Sequence, residues 1–242
     1  MARAIRKRCI ALAVAGAGLT AASAAQAGLV LDLRLADGGG KFKFVSQGEV
    51  VPLQLFGIVQ GTDGIDNETL YNVFAVLRSS TGGLLGDFSP AMLQPPFDTV
   101  AAQPGVPLDA DGDGDLDLGA AIGGPGNTFL FARADYPFPE PQGARIGADA
   151  EEFHLASISW TVTGSSGESM LNAYRVANFP AETALLLEDG APTTTGPTSA
   201  AGVVVVVPEP STAAILCACG LGLGAIQRGR LRRPTWSMRS SI

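Results

Sequence analysis

The chain has 242 residues, with 23 acidic and 16 basic side chains, a single histidine and three cysteines. Nine of the bases lie in the first eight residues or beyond residue 227, so residues 28–207 hold 22 acids against 7 bases, a charge of about −15. A surface this acidic repels nucleic acid and anionic lipid and attracts divalent cations, which excludes a DNA- or RNA-binding role. Cys9, Cys217 and Cys219 all lie outside that stretch, so no disulfide can staple it.

In chain order, residues 1–27 read as a secretory signal peptide. Arg3, Arg6, Lys7 and Arg8 form the basic start, and Cys9 to Ala22 is apolar and too short for a stable span. Ala25-Gln26-Ala27 is a small-x-small site that fits signal peptidase, which leaves Gly28 as the first residue of the exported chain. Residues 28–190 then alternate with period 2 and break at Gly, Pro, Asp and Asn, the pattern of an all-β ectodomain. Leu29, Leu31, Leu33 and Leu35 alternate with polar or smaller residues in "GLVLDLRLADG". "VVPLQLFGIVQG" and "TLYNVFAVLRSS" are apolar on both faces, as central strands are. In "EEFHLASISWTVTG" the alternation puts His154, Ala156, Ile158, Trp160 and Val162 on one face and Ser157, Ser159 and Thr161 on the other.

Further short strands are expected at 128–133, 172–176, 183–187 and 203–207, with "TGSSGES" as a hairpin turn. Residues 191–207 read as a linker or last strand, since "APTTTGPTSAAG" has the composition of an extended spacer. The expected architecture is a single β-sandwich, jelly-roll or cohesin-like. The ordering of "LVLDLRL", "GEVVPLQLFGIVQG" and "FHLASISWTVTG" resembles cohesin-like and related carbohydrate-module sandwiches.

One constellation carries chemistry. In "LDADGDGDLDLG", Asp109, Asp111, Asp113, Gly114 and Asp117 fit D-x-D-x-D-G-x-x-D, which turns alternate carboxylates inward around a sharp turn at the glycine. Asp115 would add a backbone carbonyl. Hard oxygen donors at this spacing suit Ca²⁺. Position twelve, where an EF-hand has a bidentate acid, is Ala120, so the loop departs from that pattern. The alternative is a solvated acidic turn. Catalytic sets do not appear: Glu168 replaces the last glycine of a G-x-S-x-G order, and Glu151 and Glu152 are adjacent and so point to opposite faces of a strand. His154 reads as a structural, hydrogen-bonded histidine, and the chain as no enzyme. The aromatics Phe97, Tyr136 and Phe138, in proline-rich loops, read as loop anchors.

Beyond the body, Val207-Pro208-Glu209-Pro210-Ser211-Thr212 leads into 14 apolar or glycine residues, Ala213 to Ile226, and then Arg228, Arg230, Arg232 and Arg233. The apolar run is a marginal span, and the arginines hold its end in the cytoplasm. A second Pro-Glu-Pro, at residues 139–141, is followed by polar residues and reads as a loop. Residues 208–233 resemble the PEP-CTERM sorting domain of exported bacterial proteins, also catalogued as the ice-binding protein C-terminal domain. Family signals usually stop at the arginines, whereas here residues 234–242 extend past them. The resemblance implies an exosortase substrate with Pro208, Glu209 and Pro210 as the sorting motif and transient inner-membrane association. It also implies processing to the cell surface or extracellular matrix, in company with exopolysaccharide or biofilm components. The expected function is a non-catalytic surface or matrix protein; the alternative is a Ca²⁺-dependent carbohydrate- or protein-binding module.

Overall fold

The computed structural model describes residues 27–38, 40–62, 68–119, 128–134, 143–176, 184–188 and 191–209. The signal segment through Gln26, the second Pro-Glu-Pro with Tyr136 and Phe138, and the sorting segment from Pro210 onward lie outside the described residues.

Among the described residues every regular element is a strand. The first are β1 (Gly28–Leu35), β2 (Phe42–Phe44), β3 (Val50–Gln60), β4 (Thr69–Arg78), β5 (Gly86–Phe88) and β6 (Met92–Leu93). Then come β7 (Gln103–Pro104), β8 (Pro107–Leu108), β9 (Asp117–Leu118), β10 (Leu130–Arg133), β11 (Ala144–Arg145) and β12 (Ala150–Val162). The last are β13 (Gly167–Arg175), β14 (Ala184–Glu188), β15 (Ala191–Thr195), β16 (Thr198–Ser199) and β17 (Val203–Val207).

They form two sheets. The first has the order β11-β12-β3-β1-β16, with β5 and β6 also paired to β12. The second has the order β15-β14-β4-β13-β17-β2, and β7 to β10 branch from β4. As the two-sided apolar pattern predicts, β3 and β4 are central, each with strands on both sides. One core cluster draws its side chains from both sheets: Leu29, Leu31 and Leu33 of β1 and Trp160 of β12 meet Leu70, Val73 and Leu77 of β4 and Leu171 of β13. Its continuity is what makes the two sheets one sandwich. The outer face of β4 is covered as well, where Phe74 stacks on Phe131 at 4.2 Å and meets Phe129 edge-on at 5.1 Å.

Two expectations change. In β12 the register to β3 shifts between His154 and Ala156, a β-bulge. A bulge inserts one residue and reverses the inward parity. Phe153 and Leu155 therefore point inward before it, and Ala156, Ile158, Trp160 and Val162 after it. His154 is turned out of the core, where its ring stacks on Phe56 at 4.9 Å. The "TGSSGES" segment is not a hairpin turn either. It leads from β12 in the first sheet to β13 in the second.

Segment 191–207 is extended, and it is paired. β15 lies antiparallel to β14, β16 lies parallel to β1, and β17 sits between β13 and β2. Threonine and valine favour the pleated backbone, and Val203, Val205 and Val207 are buried. Gly28 opens β1 opposite Gln60, with Ala27 buried beside it, while Ala25 lies outside the described residues. At the other end Pro208 and exposed Glu209 follow β17 directly.

Candidate metal centre

The aspartate segment is the loop of a hairpin. β8 and β9 pair antiparallel, Pro107 opposite Leu118 and Leu108 opposite Asp117, and Leu118 also pairs with Leu77 of β4. This hangs residues 109–116 over the end of β4, against the turn that follows it. The loop turns sharply at Gly112 and Gly114, whose φ angles of +81° and +96° are costly for any residue with a Cβ.

Asp109, Asp111 and Asp113 bring carboxylate oxygens within 4.8 Å of one another, a group that could hold a metal ion. Each is positioned by a donor. The Gly112 N–H donates to Asp109 at 2.7 Å, the Thr81 hydroxyl to Asp111, and the N–H groups of Gly82 and Asp115 to Asp113, both at 3.2 Å. Asp109 and Asp111 are exposed and Asp113 is half-buried, so the group opens to solvent on one side.

Asp115 and Asp117, the other two expected ligands, fall outside this group and are 2% and 1% exposed. Both lean on Ser79, whose hydroxyl donates to Asp115 Oδ2 and whose N–H donates to Asp117 Oδ1 at 3.1 Å. Their other oxygens, Asp115 Oδ1 and Asp117 Oδ2, are buried with no hydrogen-bond partner. Buried polar atoms are rarely left so, because each forfeits its hydration. Asp115 contributes a buried carboxylate here, more than the backbone carbonyl its place in the spacing suggests.

Electrostatics records the crowding. Burial pushes the Asp115 carboxyl up to about 7; the neighbouring Asp113 and Asp117 carboxylates push the same way, and the Ser79 hydroxyl opposes. Burial likewise pushes Asp117 up to about 6, with help from the Asp111 and Asp113 charges and against the Ser79 N–H and the Arg78 charge. For Asp113 burial acts upward, but the N–H groups of Asp115 and Gly82 outweigh it and hold the carboxyl below its ordinary value. The set is one ionised carboxylate flanked by two that resist ionising without a cation.

The other expected positions are less chemical. His154 is half-buried, and burial lowers its pKa; one ring nitrogen is 3.2 Å from the Ala156 carbonyl. Glu152 pairs with Arg34, and Glu151 accepts from the Gly143 N–H at 3.2 Å, a structural use of both acids. Phe97 is buried edge-on to Phe153 at 6.1 Å, as a loop anchor is.

Sequence spacing missed the turn of Ser79, Ser80, Thr81 and Gly82, some 30 residues upstream, and its neighbour Asp87, which accepts from the Leu116 N–H at 3.1 Å. No motif marks those residues; only the pairing of β4 with β9 places them. The same turn forms one wall of a cleft of about 710 Å³, closed by Tyr174 and Arg175 of β13 and by residues 197–199.

No protein-family model matches the chain. No curated protein matches it either. Among solved structures, a type II cohesin–X-dockerin complex from Acetivibrio cellulolyticus, crystallised as an N-terminal interface mutant, is similar at 10% identity. The match covers 76% of this chain and 97% of that one with a TM-score of 0.37.

Proposed function

We propose that this chain is an exported, non-catalytic β-sandwich protein of the cell surface or extracellular matrix, sorted by its C-terminal tag and stabilised by Ca²⁺ in the 109–117 loop. The observation that carries the ion is the pair of buried, partnerless oxygens on Asp115 and Asp117 beneath the Asp109, Asp111 and Asp113 triad. A divalent ion held by that triad neutralises the cluster; the Asp115 and Asp117 oxygens lie outside the 4.8 Å group, and the ion offsets their charge from beside them. Calcium suits it best, because it accepts six to eight oxygens in flexible geometry and lets water complete the open side. Mg²⁺ demands a tight octahedron that a loop of this length fits poorly.

The sorting half rests on the sequence of residues 208–233. Replacing Pro208, Glu209 and Pro210 by alanines should leave full-length protein in the inner-membrane fraction. Release as efficient as wild type would remove the sorting claim. For the ion, thermal melts in EDTA, Ca²⁺ and Mg²⁺ should separate, with Ca²⁺ giving the highest midpoint; three superimposable melts would return the loop to a solvated acidic turn.

A second reading, a Ca²⁺-dependent carbohydrate- or protein-binding module, is favoured by the cleft beside the loop, which shares Asp111 with it.

A further inference from the structure

The cleft of about 710 Å³ has the size of a pocket for a small molecule or a few sugar units. Its chemistry is unlike the rest of this acidic chain. Of the seven basic side chains in residues 28–207, Arg34, Lys41 and Lys43 are held in ion pairs. Arg78 and Arg175 both line the cleft, and among the described residues neither has an ion-pair partner within 4.0 Å. Arg78 Nε is buried and has no hydrogen-bond partner. The charge of Arg78 acts on Asp117 from beyond ion-pair distance, so the guanidinium keeps donors for a bound carboxylate, which it meets through paired N–H bonds. Register explains the placing: Arg78 stands opposite Asn172 and Val76 opposite Tyr174, so Arg78 and Tyr174 share a face of the sheet, while Arg175 lines the cleft from the other face of the strand.

The remaining walls say what carries the carboxylate. Tyr174 is 42% exposed and offers a ring face with a polar tip. Ser80, Thr81, Thr198 and Ser199 line the cleft with hydroxyls already bonded to Ser169, Asp111 and the Leu29 and Ala173 carbonyls, so what they offer a ligand's hydroxyls is acceptor lone pairs. An extended peptide would favour a bare strand edge. β4 offers none here, because Leu77 faces Leu118 on one side and Arg78 faces Asn172 on the other, and on β13 beyond Leu171, where the pairing with β17 ends, the Ser199 hydroxyl takes the Ala173 carbonyl. Side chains alone must recognise the ligand, and hydroxyls, one aromatic face and two guanidinia match an acidic sugar.

We propose that this cleft binds an acidic saccharide, a short run of uronic-acid sugars with one carboxylate on Arg78, another on Arg175 and a ring lying on Tyr174. The inference rests on the binding-module reading, but the arginines act without the ion. Calcium at Asp111 on the rim would add attraction.

The test uses the full chain in mild detergent, titrated in EDTA with trigalacturonate as probe, maltotriose as the neutral control and hexaglutamate as the peptide control. Trigalacturonate should bind at least about tenfold more tightly than either control, a difference of about 1.4 kcal/mol. Arg175→Ala and Tyr174→Ala, both at exposed positions, should each weaken it about tenfold with an unchanged melting temperature, and Arg175→Lys should recover part of the loss. Equal binding of maltotriose or hexaglutamate, or an Arg175→Ala chain of wild-type affinity, would overturn the proposal. A separate Ca²⁺ titration without sugar reads the loop. Sugar binding without a Ca²⁺ heat upholds the cleft and removes the ion; a Ca²⁺ heat without trigalacturonate binding does the reverse.

Discussion

Replacing Asp117 by asparagine should raise the melting temperature of the ion-free chain and remove its response to calcium. Asparagine keeps the oxygen that accepts from the Ser79 N–H at 3.1 Å. It deletes the buried charge, which burial and the Asp111 and Asp113 carboxylates oppose more than Arg78 and the Ser79 N–H favour it. The rise of the Asp117 carboxyl from 3.8 to about 6 sets the scale. At about 1.4 kcal/mol per pH unit that is about 3 kcal/mol, and water beside the loop cuts it to about 1.5 kcal/mol. For a domain of this size 1 kcal/mol moves the midpoint by about 2–4 °C, so the ion-free variant should melt about 3–6 °C above wild type at pH 7.5. Calcium acts on the same quantity. At tenfold saturation, about 1 mM over a Kd of about 10⁻⁴ M, it adds about 1.4 kcal/mol to wild type. Wild type with Ca²⁺ and the variant in EDTA should thus melt together, and Ca²⁺ should move the variant by about 1 °C at most. Scanning calorimetry in EDTA and in 1 mM Ca²⁺ reads all four midpoints. A variant that melts below wild type in EDTA, or that keeps the full calcium shift, would refute the reasoning.

The pH dependence follows from the same groups. Asp115 and Asp117 have folded-state values raised to about 7 and about 6, so their contribution to stability is fully present below about 4 and is lost as pH rises through those values. Ion-free wild type should therefore lose stability between pH 4 and 7.5 relative to Asp117→Asn, and the Ca²⁺ shift should grow across that window; a calcium shift independent of pH counts against it. Truncation after Glu209 should leave a cooperative β fold by circular dichroism, whereas truncation after Ala200 removes buried Val203, Val205 and Val207. At about 1.5–3 kcal/mol per buried side chain that loss rivals a whole domain's stability, so a folded chain ending at Ala200 would contradict the role of β17. Gly86→Ala puts a Cβ 2.3 Å from the ring of fully buried Trp160 and 2.8 Å from the Thr161 carbonyl. It should cost about 1–3 kcal/mol in a denaturant melt, and a neutral result would show that the ring can move.

Much of the sandwich could be read from period-2 alternation, because burial on one or both faces writes itself directly into the residues. The leucines of β1 and the two-sided β3 and β4 are examples, and Val203–Val207 forms a strand with the expected bounds. The inward set of β12 could not be read through Leu155, since a bulge changes parity without any change in composition. Composition also misdescribed residues 191–202: Pro, Thr and Gly suit a spacer and an edge strand equally, and only the partners β14 and β1 decide. At the loop, the spacing of Asp109, Asp111 and Asp113 was sufficient to bring them together, because the turn is local. Ser79 and Thr81, and the meeting of Arg78 with Tyr174 and Arg175, depend on long-range register. No local pattern encodes that.

Calcium binding to the 109–117 loop is tested most directly by calorimetric titration of the ion-free chain at pH 6.5, in two buffers of different ionisation enthalpy. The account predicts one Ca²⁺ per chain with a Kd of about 10⁻⁴ M and a heat that differs between the buffers, because Asp115 and Asp117 release protons as the ion enters. Mg²⁺ should give a far smaller signal. No Ca²⁺ heat in either buffer, or equal heats for Ca²⁺ and Mg²⁺, would contradict it.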